Sequence, residues 1–379
     1  MRALNRLTAA ALSAGAVFAA AGTASAAADG FHGFPQHGGV VYVQTDNIAG
    51  NQIVVYDRAF NGTLTPAGTY ATGGLGGQLA GSEVDHTASQ GSLVYDSRDG
   101  LLLAVNAGSN TVSVFATSGD RLALRQVIPS GGTFPVSIAE QNGLVYVVNA
   151  ENGGSVQGYG VAFDHLFPLP GTNRALGLNP TAEPQFVNTP GQVAFSPSGS
   201  QLIVTTKANG SDIDVFRIGF FGRLSATPVV NSEPGAVPFA VVFDQAGDLL
   251  VAEAGADALA SFRLHGNGTV TELDSVGTGA KATCWVAEAD GRFYASNAGS
   301  GTLSAFTAGP GGQLTLLGAQ ATDGGTVDAS ASSDGRFLYV QTGAAGIVDE
   351  FAVAPHGGLI EVGTVTVPGA VGGEGIVAS

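Results

Sequence analysis

The stretch GSEVDHTASQGS, residues 81–92, puts His86 beside Asp85 and near Glu83. An imidazole with a carboxylate neighbour is a pairing that can take a proton from water, so His86 is a candidate general base. Neighbours on an extended chain point to opposite sides, so the alternative is a loop histidine bonded to backbone. Two further carboxylates, Asp328 and Glu374, stand near the starts of strands in a repeating pattern described below. Side by side they would share a proton or hold a divalent cation such as calcium; apart, each would accept backbone amides. His86, Glu374 and Asp328 are therefore the candidate catalytic groups.

A second set recurs at one position of the repeat, where Gln44, Asn106, Asn149, Lys207, Glu253, Asn297 and Gln341 correspond. The asparagines can cap the turn that follows, or line a polar ring that takes a hydroxylated or carboxylated ligand. Lys207 and Glu253 break the neutral pattern, either as a salt bridge between adjacent units or as part of a site. With Gln192, one strand earlier than Lys207, these give the candidate substrate-binding residues Lys207, Glu253, Gln192, Asn106, Asn149 and Asn297. HExxH, paired cysteines and regular histidine spacing are all missing, so no metal site and no cofactor is expected, calcium at the acid pair aside.

The elements that would position these groups repeat. LLAVNAGSNTVSVF (102–115) returns as FYASNAGSGTLSAF (293–306), each an apolar strand, a small polar turn and a strand closing on an aromatic. The closing aromatics are Tyr56, Phe115, Tyr159, Phe216, Phe262, Phe306 and Phe351, at separations of 59, 44, 57, 46, 44 and 45 residues. A period of about 40–50 residues marks a four-stranded propeller blade. The two long steps locate insertions, one glycine-rich around 71–90 and one spanning 166–184. The other six units begin with an extra strand, but the first opens directly at GGVVYVQ (38–44), and the chain ends on GGEGIVAS (372–379). The C-terminus is therefore expected to supply the missing strand of the first unit and remove an open edge. The fold class expected is all-β: a single seven-bladed β-propeller over residues 38–379.

Before the propeller, Arg2 and Arg6 precede an apolar run that ends in Thr23-Ala24-Ser25-Ala26. This reads as a signal peptide over 1–26, followed by a short segment 27–37, and implies a secreted, extracellular protein without a membrane anchor. Losing Arg2 and Arg6 takes the formal charge from −16 to −18. That acidity disfavours nucleic acid and anionic membranes as partners. Cys284 is the only cysteine, expected as a small buried hydrophobe.

VNAGSNTVSVF, FPVSIAEQNGLVYVVNA, QVAFSPSGSQLIVTTK and ATCWVAEADGRFYASNAGSGTLSAF resemble the lactonase-type seven-bladed propellers, which include 6-phosphogluconolactonases and carboxymuconate-lactonizing enzymes. The resemblance implies a small-molecule lactone or related cyclic carboxylate opened at the mouth of the central channel. It also implies a histidine, a glutamate and arginines at that channel, yet the matching stretch FPVSIAEQN has no histidine. Only Lys207, Lys281 and Arg174 fall on the mouth face as cations, which argues against a phosphorylated substrate. The rival expectation is a noncatalytic monomer that binds an extracellular carbohydrate, peptide or protein.

Overall fold

Apolar residues occupy both faces of the second strand of each repeat, as in LLLAVN (Leu101–Asn106) and LVYVVN (Leu144–Asn149), and these strands are buried almost throughout. A strand with no wet face must be covered on both sides, which a radial stack of sheets does. The fourth strands, such as LTLLGAQA (Leu314–Ala321), are largely exposed and end the stack outward.

A computed structural model describes residues 38–379; the leader read at 1–26 and the segment 27–37 lie outside the described residues. Seven antiparallel sheets follow one another. Their first, innermost strands are Ile376–Ala378 for blade one, then Leu93–Asp96, Pro135–Gln141, Val193–Phe195, Pro238–Phe243, Thr283–Ala289 and Thr326–Ala331. Blade one is closed by the C-terminus as expected, with Val41, Tyr42 and Val43 of Gly39–Gln44 paired to Ala378, Val377 and Ile376. Blade three carries an additional short strand, Arg174–Ala175, from the second insertion.

The apolar core is not central. It is divided into seven clusters, each shared by two neighbouring blades; one joins Leu103 and Val105 of blade two to Val145 and Val147 of blade three. Seven clusters for seven interfaces define a closed ring. The closing aromatics lie in these wedges, each no more than 1% exposed.

A polar clasp recurs on top of the packing. Tyr42, Tyr294 and Tyr339 of second strands each donate their hydroxyl to a glycine carbonyl in the turn between third and fourth strands of the next blade: Gly119 at 2.6 Å, Gly357 at 3.2 Å and Gly62 at 2.8 Å. Tyr146 does the same to Gly222. A buried tyrosine needs such an acceptor, and the turn supplies it.

Candidate functional site

Innermost strands meet the mouth through a repeated irregularity. Four of them carry a bulge at their first residues, between Pro135 and Ser137, Pro238 and Val241, Thr283 and Trp285, and Thr326 and Ala329. The residue just before each has positive φ: Phe134, Val237, Ala282 and Gly325. A bulge leaves one residue unpaired and re-aims its side chain, here around Val136, Ala240, Cys284 and Asp328.

The mouth is covered by the chain itself. The first insertion, between Leu64–Ala71 and Leu93–Asp96, turns into the channel on a knot built by Asp85. Its carboxylate accepts Thr87 N (2.8 Å), Thr87 Oγ1 (2.9 Å), Ala88 N (2.8 Å) and Ser89 N (2.9 Å), while Ala88 takes φ +47°. From this knot the plug reaches around the ring. Ser89 Oγ donates to Val136 O of blade three at 2.8 Å, Gln90 N to Gly191 O of blade four at 3.0 Å, and His86 N to Gly372 O at 2.8 Å. Trp285 Nε1 of blade six donates to Ser89 O at 2.6 Å. The end of the second insertion and the residues that follow it brace the plug, with Pro184 against Gly81 and Ala80 N donating to Gln185 Oε1 at 2.7 Å. The two insertions legible in the sequence thus meet.

Beneath the plug and its Asp85 lie three more buried carboxyls, Asp46, Asp328 and Glu374. Glu374 accepts Gly91 N at 2.9 Å, and its own N donates to Asp46 Oδ2 at 2.8 Å. Asp328 accepts Ala329 N at 2.9 Å and Ile376 N of the closing strand at 3.3 Å. Burial, before any other cause, pushes Asp46 and Asp328 up to about 7 and Glu374 well above the carboxylate range. Both carboxyls, Asp328 and Glu374, accept amides at strand starts, and burial together with each other's charge holds them toward the protonated form. No group of three or more His, Cys, Asp or Glu that could hold a metal is found among the described residues.

Lys207 enters from blade four at φ +53° and is 1% exposed. Its Nζ donates to Ala88 O of the plug and to Phe186 O just after the second insertion, both at 2.6 Å, and stands 5.1 Å from the centre of the Phe239 ring. Burial brings its pKa down to about 7, opposed first by the negative charge of Asp85. Burial likewise raises Asp85 despite its four donors. Beside them opens a cavity of about 430 Å³, walled by Val84, Phe186, Val237, Phe239, Trp285 and a run of alanines, with Ser82, Asp85, Lys207 and Cys284 as its buried polar or ionisable members and Glu83 at the exposed rim. The bulge and positive-φ positions of blades five and six, Val237, Ala282 and Cys284, supply part of that wall.

The other sequence candidates fall elsewhere. His86 is half-buried under Gly372, its Nδ1 without a partner, its pKa lowered by burial, and it does not line the cavity. Glu253 faces the carboxyls of Glu233 and Glu272 and is pushed to about 7 by burial first. Among the described residues no ion pair includes it or Lys207. Gln192 stitches blade four to blade five, its Oε1 accepting Val241 N at 2.6 Å. Asn106 and Asn297 are wholly buried, giving their amides to Thr111 and Ser113, and to Thr302 and Ser304; Asn149 bonds Ser130 O at 3.3 Å. These three hold hairpins, as turn-capping asparagines do. Asp85 is the residue that sequence reasoning underrated: it was noticed as a neighbour of His86, and the knot that aims it exists only in three dimensions.

The fold is that of the lactonase-type seven-bladed β-propellers. Among solved structures, the chain is similar to the periplasmic gluconolactonase of Pseudomonas aeruginosa, at 18% identity and TM-score 0.71 over 89% of this chain and 98% of that one. It is also similar to a candidate 6-phosphogluconolactonase of Bacteroides fragilis (18%, 0.69, covering 90% and 97%) and to a protein of Lactobacillus plantarum (20%, 0.70, covering 90% and 98%). No protein-family profile and no curated protein matches the chain.

Proposed function

We propose that the protein is an exported, monomeric lactone hydrolase that takes an uncharged lactone with an apolar body. The observation that carries this is the cavity: largely apolar walls into which the buried carboxyl of Asp85 and amine of Lys207 are set. Asp85 Oδ1 accepts three donors but Oδ2 accepts only Ser89 N, which leaves Oδ2 capacity for a water. In the reaction, water oxygen adds to the lactone carbonyl carbon as its proton passes to Asp85. Lys207, when protonated, has one N–H beyond the two held by carbonyls, suited to the oxyanion. Collapse breaks the ring C–O bond, and the departing oxygen takes the proton to give the hydroxy acid. Phosphorylated lactones fit this cavity poorly, since among the described residues no arginine lines it and Lys207 is its single cation. Export rests on the leader pattern at 1–26 and on the periplasmic gluconolactonase of similar fold.

The test is titration of acid release from a panel of apolar, sugar and phosphorylated lactones. Turnover of the apolar members, lost in Lys207→Met and in Asp85→Asn, is expected. A folded protein that opens no lactone sinks the reading.

One observation favours a second reading. Both Lys207 and Asp85 are engaged in holding the plug, which suits a noncatalytic cavity for an extracellular ligand. That reading predicts a raised melting temperature with ligand and no product; a ligand at about 100 times its Kd would add roughly 2.7 kcal/mol.

A further inference from the structure

Strand directions alternate within each blade, so the turns joining third and fourth strands project from the face opposite the mouth. In four blades these tips are polar or small: Gly119-Asp120, Gly266-Asn267, Pro310-Gly311 and His356-Gly357. Blade three instead carries Phe163, 93% exposed, and blade four carries Phe220 and Phe221, 90% and 89% exposed. Blade one has Phe60 at 63%. Since four blades close the same turn without an aromatic, packing does not require these rings, and exposed apolar clusters of this kind mark contact surfaces.

The blade-four tip has a definite shape. RIGFFGR (217–223) is pinned at its base by Gly219 N to Arg223 O at 2.7 Å, by the Ile218–Leu224 bridge and by the Tyr146 hydroxyl on Gly222 O. Phe221 is held at φ +57°. The loop leans on the neighbouring blade: a Cβ at Gly222 would lie 2.7 Å from Leu144 Cδ1. The rings are therefore displayed, not loose, and they stand on the blade next to Phe163. Arg217 and Arg223, both exposed, flank the pair of phenylalanines in a chain with only 14 Lys and Arg in all.

We propose that this face seats the propeller on a phospholipid bilayer, with Phe163, Phe220 and Phe221 entering the interfacial zone and Arg217 and Arg223 meeting headgroup phosphates. The tips are convex and separate, a shape that fits a deformable surface better than a preformed pocket. Two basic side chains beside apolar tips match the order of phosphate and acyl layers. The mouth face, with the plug and the cavity beside it, then points away from the membrane. The chain-wide acidity opposes strongly anionic membranes, so the attachment is weak and reversible.

The experiment is flotation of the intact protein with phosphatidylcholine vesicles. Co-flotation is expected, falling roughly tenfold or more in the Phe220→Ser/Phe221→Ser variant. Arg217→Gln/Arg223→Gln should weaken flotation less than the serine variant does, because phosphatidylcholine offers headgroup phosphates but no net negative surface potential. Melting temperatures should stay unchanged, because the tips are exposed. Wild-type protein that stays with the unbound fraction, or a serine variant that floats equally well, overturns the proposal. So does a dimer in sedimentation equilibrium that the serine variant dissolves, since a second copy would then be the occupant.

Discussion

Gln90 and Val286 face each other across the channel and exchange two hydrogen bonds, Gln90 Nε2 to Val286 O and Val286 N to Gln90 Oε1, both at 2.9 Å. Gln90 belongs to the plug before blade two, and Val286 to the innermost strand of blade six. A side-chain amide here substitutes for the missing neighbour of an innermost strand, whose inward backbone groups would otherwise go unpaired. Gln90→Leu keeps the volume but orphans both groups of Val286. The expected loss is about 1–3 kcal/mol per orphaned group, read as a lower denaturant midpoint at unchanged slope.

The buried acids set a pH dependence. Burial pushes Asp46 and Asp328 up to about 7 in the folded chain and raises Glu374 well above its ordinary value too. A folded-state pKa raised in this way means that the folded protein binds more protons than the unfolded chain between the two values. The stability these groups contribute is complete below the ordinary carboxylate range and is lost as pH rises through about 7. The melting temperature should therefore be higher at pH 5 than at pH 8. Asp328→Asn and Glu374→Gln, neutral at both, should flatten that difference; a slope unchanged by either substitution would place its origin elsewhere.

The blades were legible because one sentence of sequence is written seven times, and a repeat reports packing directly. Strand burial, closing aromatics and the C-terminal strand all follow from it. Lys207 stood out for the same reason, as the place where a recurring asparagine gives way to a cation. What the repeat could not report was anything outside it. The plug is an insertion, so its fold is set by contacts with blades three, four and six and not by its own pattern. Asp85 and His86, adjacent in sequence, consequently part company: one carboxylate ties the knot and lines the cavity, while the imidazole lies against Gly372. The tyrosine clasps were hidden too, because the donor lies in one repeat and its acceptor in the next.

Those clasps make a prediction of their own. Tyr294 and Tyr339 are wholly buried and their hydroxyls bond Gly357 O and Gly62 O. Phenylalanine at either position keeps the ring but leaves a buried carbonyl without its donor. Each change should cost about 1–2 kcal/mol, and because the two sites sit on different turns the losses should add. Unfolding of the double variant measures this, and strong non-additivity would show that the ring shares strain between blades.

Cys284 should be inert in the folded protein. Its thiol lines the cavity wall, yet burial pushes its pKa up to about 12 against the opposing charge of Lys207. Thiolate, not thiol, is the nucleophile. Maleimide at neutral pH should leave native protein unmodified and label it fully in denaturant. Rapid native labelling would mean that the plug opens often enough to expose the wall.

Lys207 supplies the opposite pH sign. Burial brings its amine from 10.5 to about 7, so between these values the unfolded chain carries a proton that the folded chain lacks. Stability from this group therefore rises with pH through that window, by up to about 1.4 kcal/mol per pH unit. Lys207→Met removes the titration and strips Ala88 O and Phe186 O of their donor. The gap in stability between wild type and variant should widen in favour of wild type from pH 7 to pH 10, while the acids beneath the plug, common to both proteins, cancel in the comparison. A gap independent of pH would mean that Lys207 stays charged in the folded state, held by Asp85, and the cavity would then present a fixed cation to its ligand.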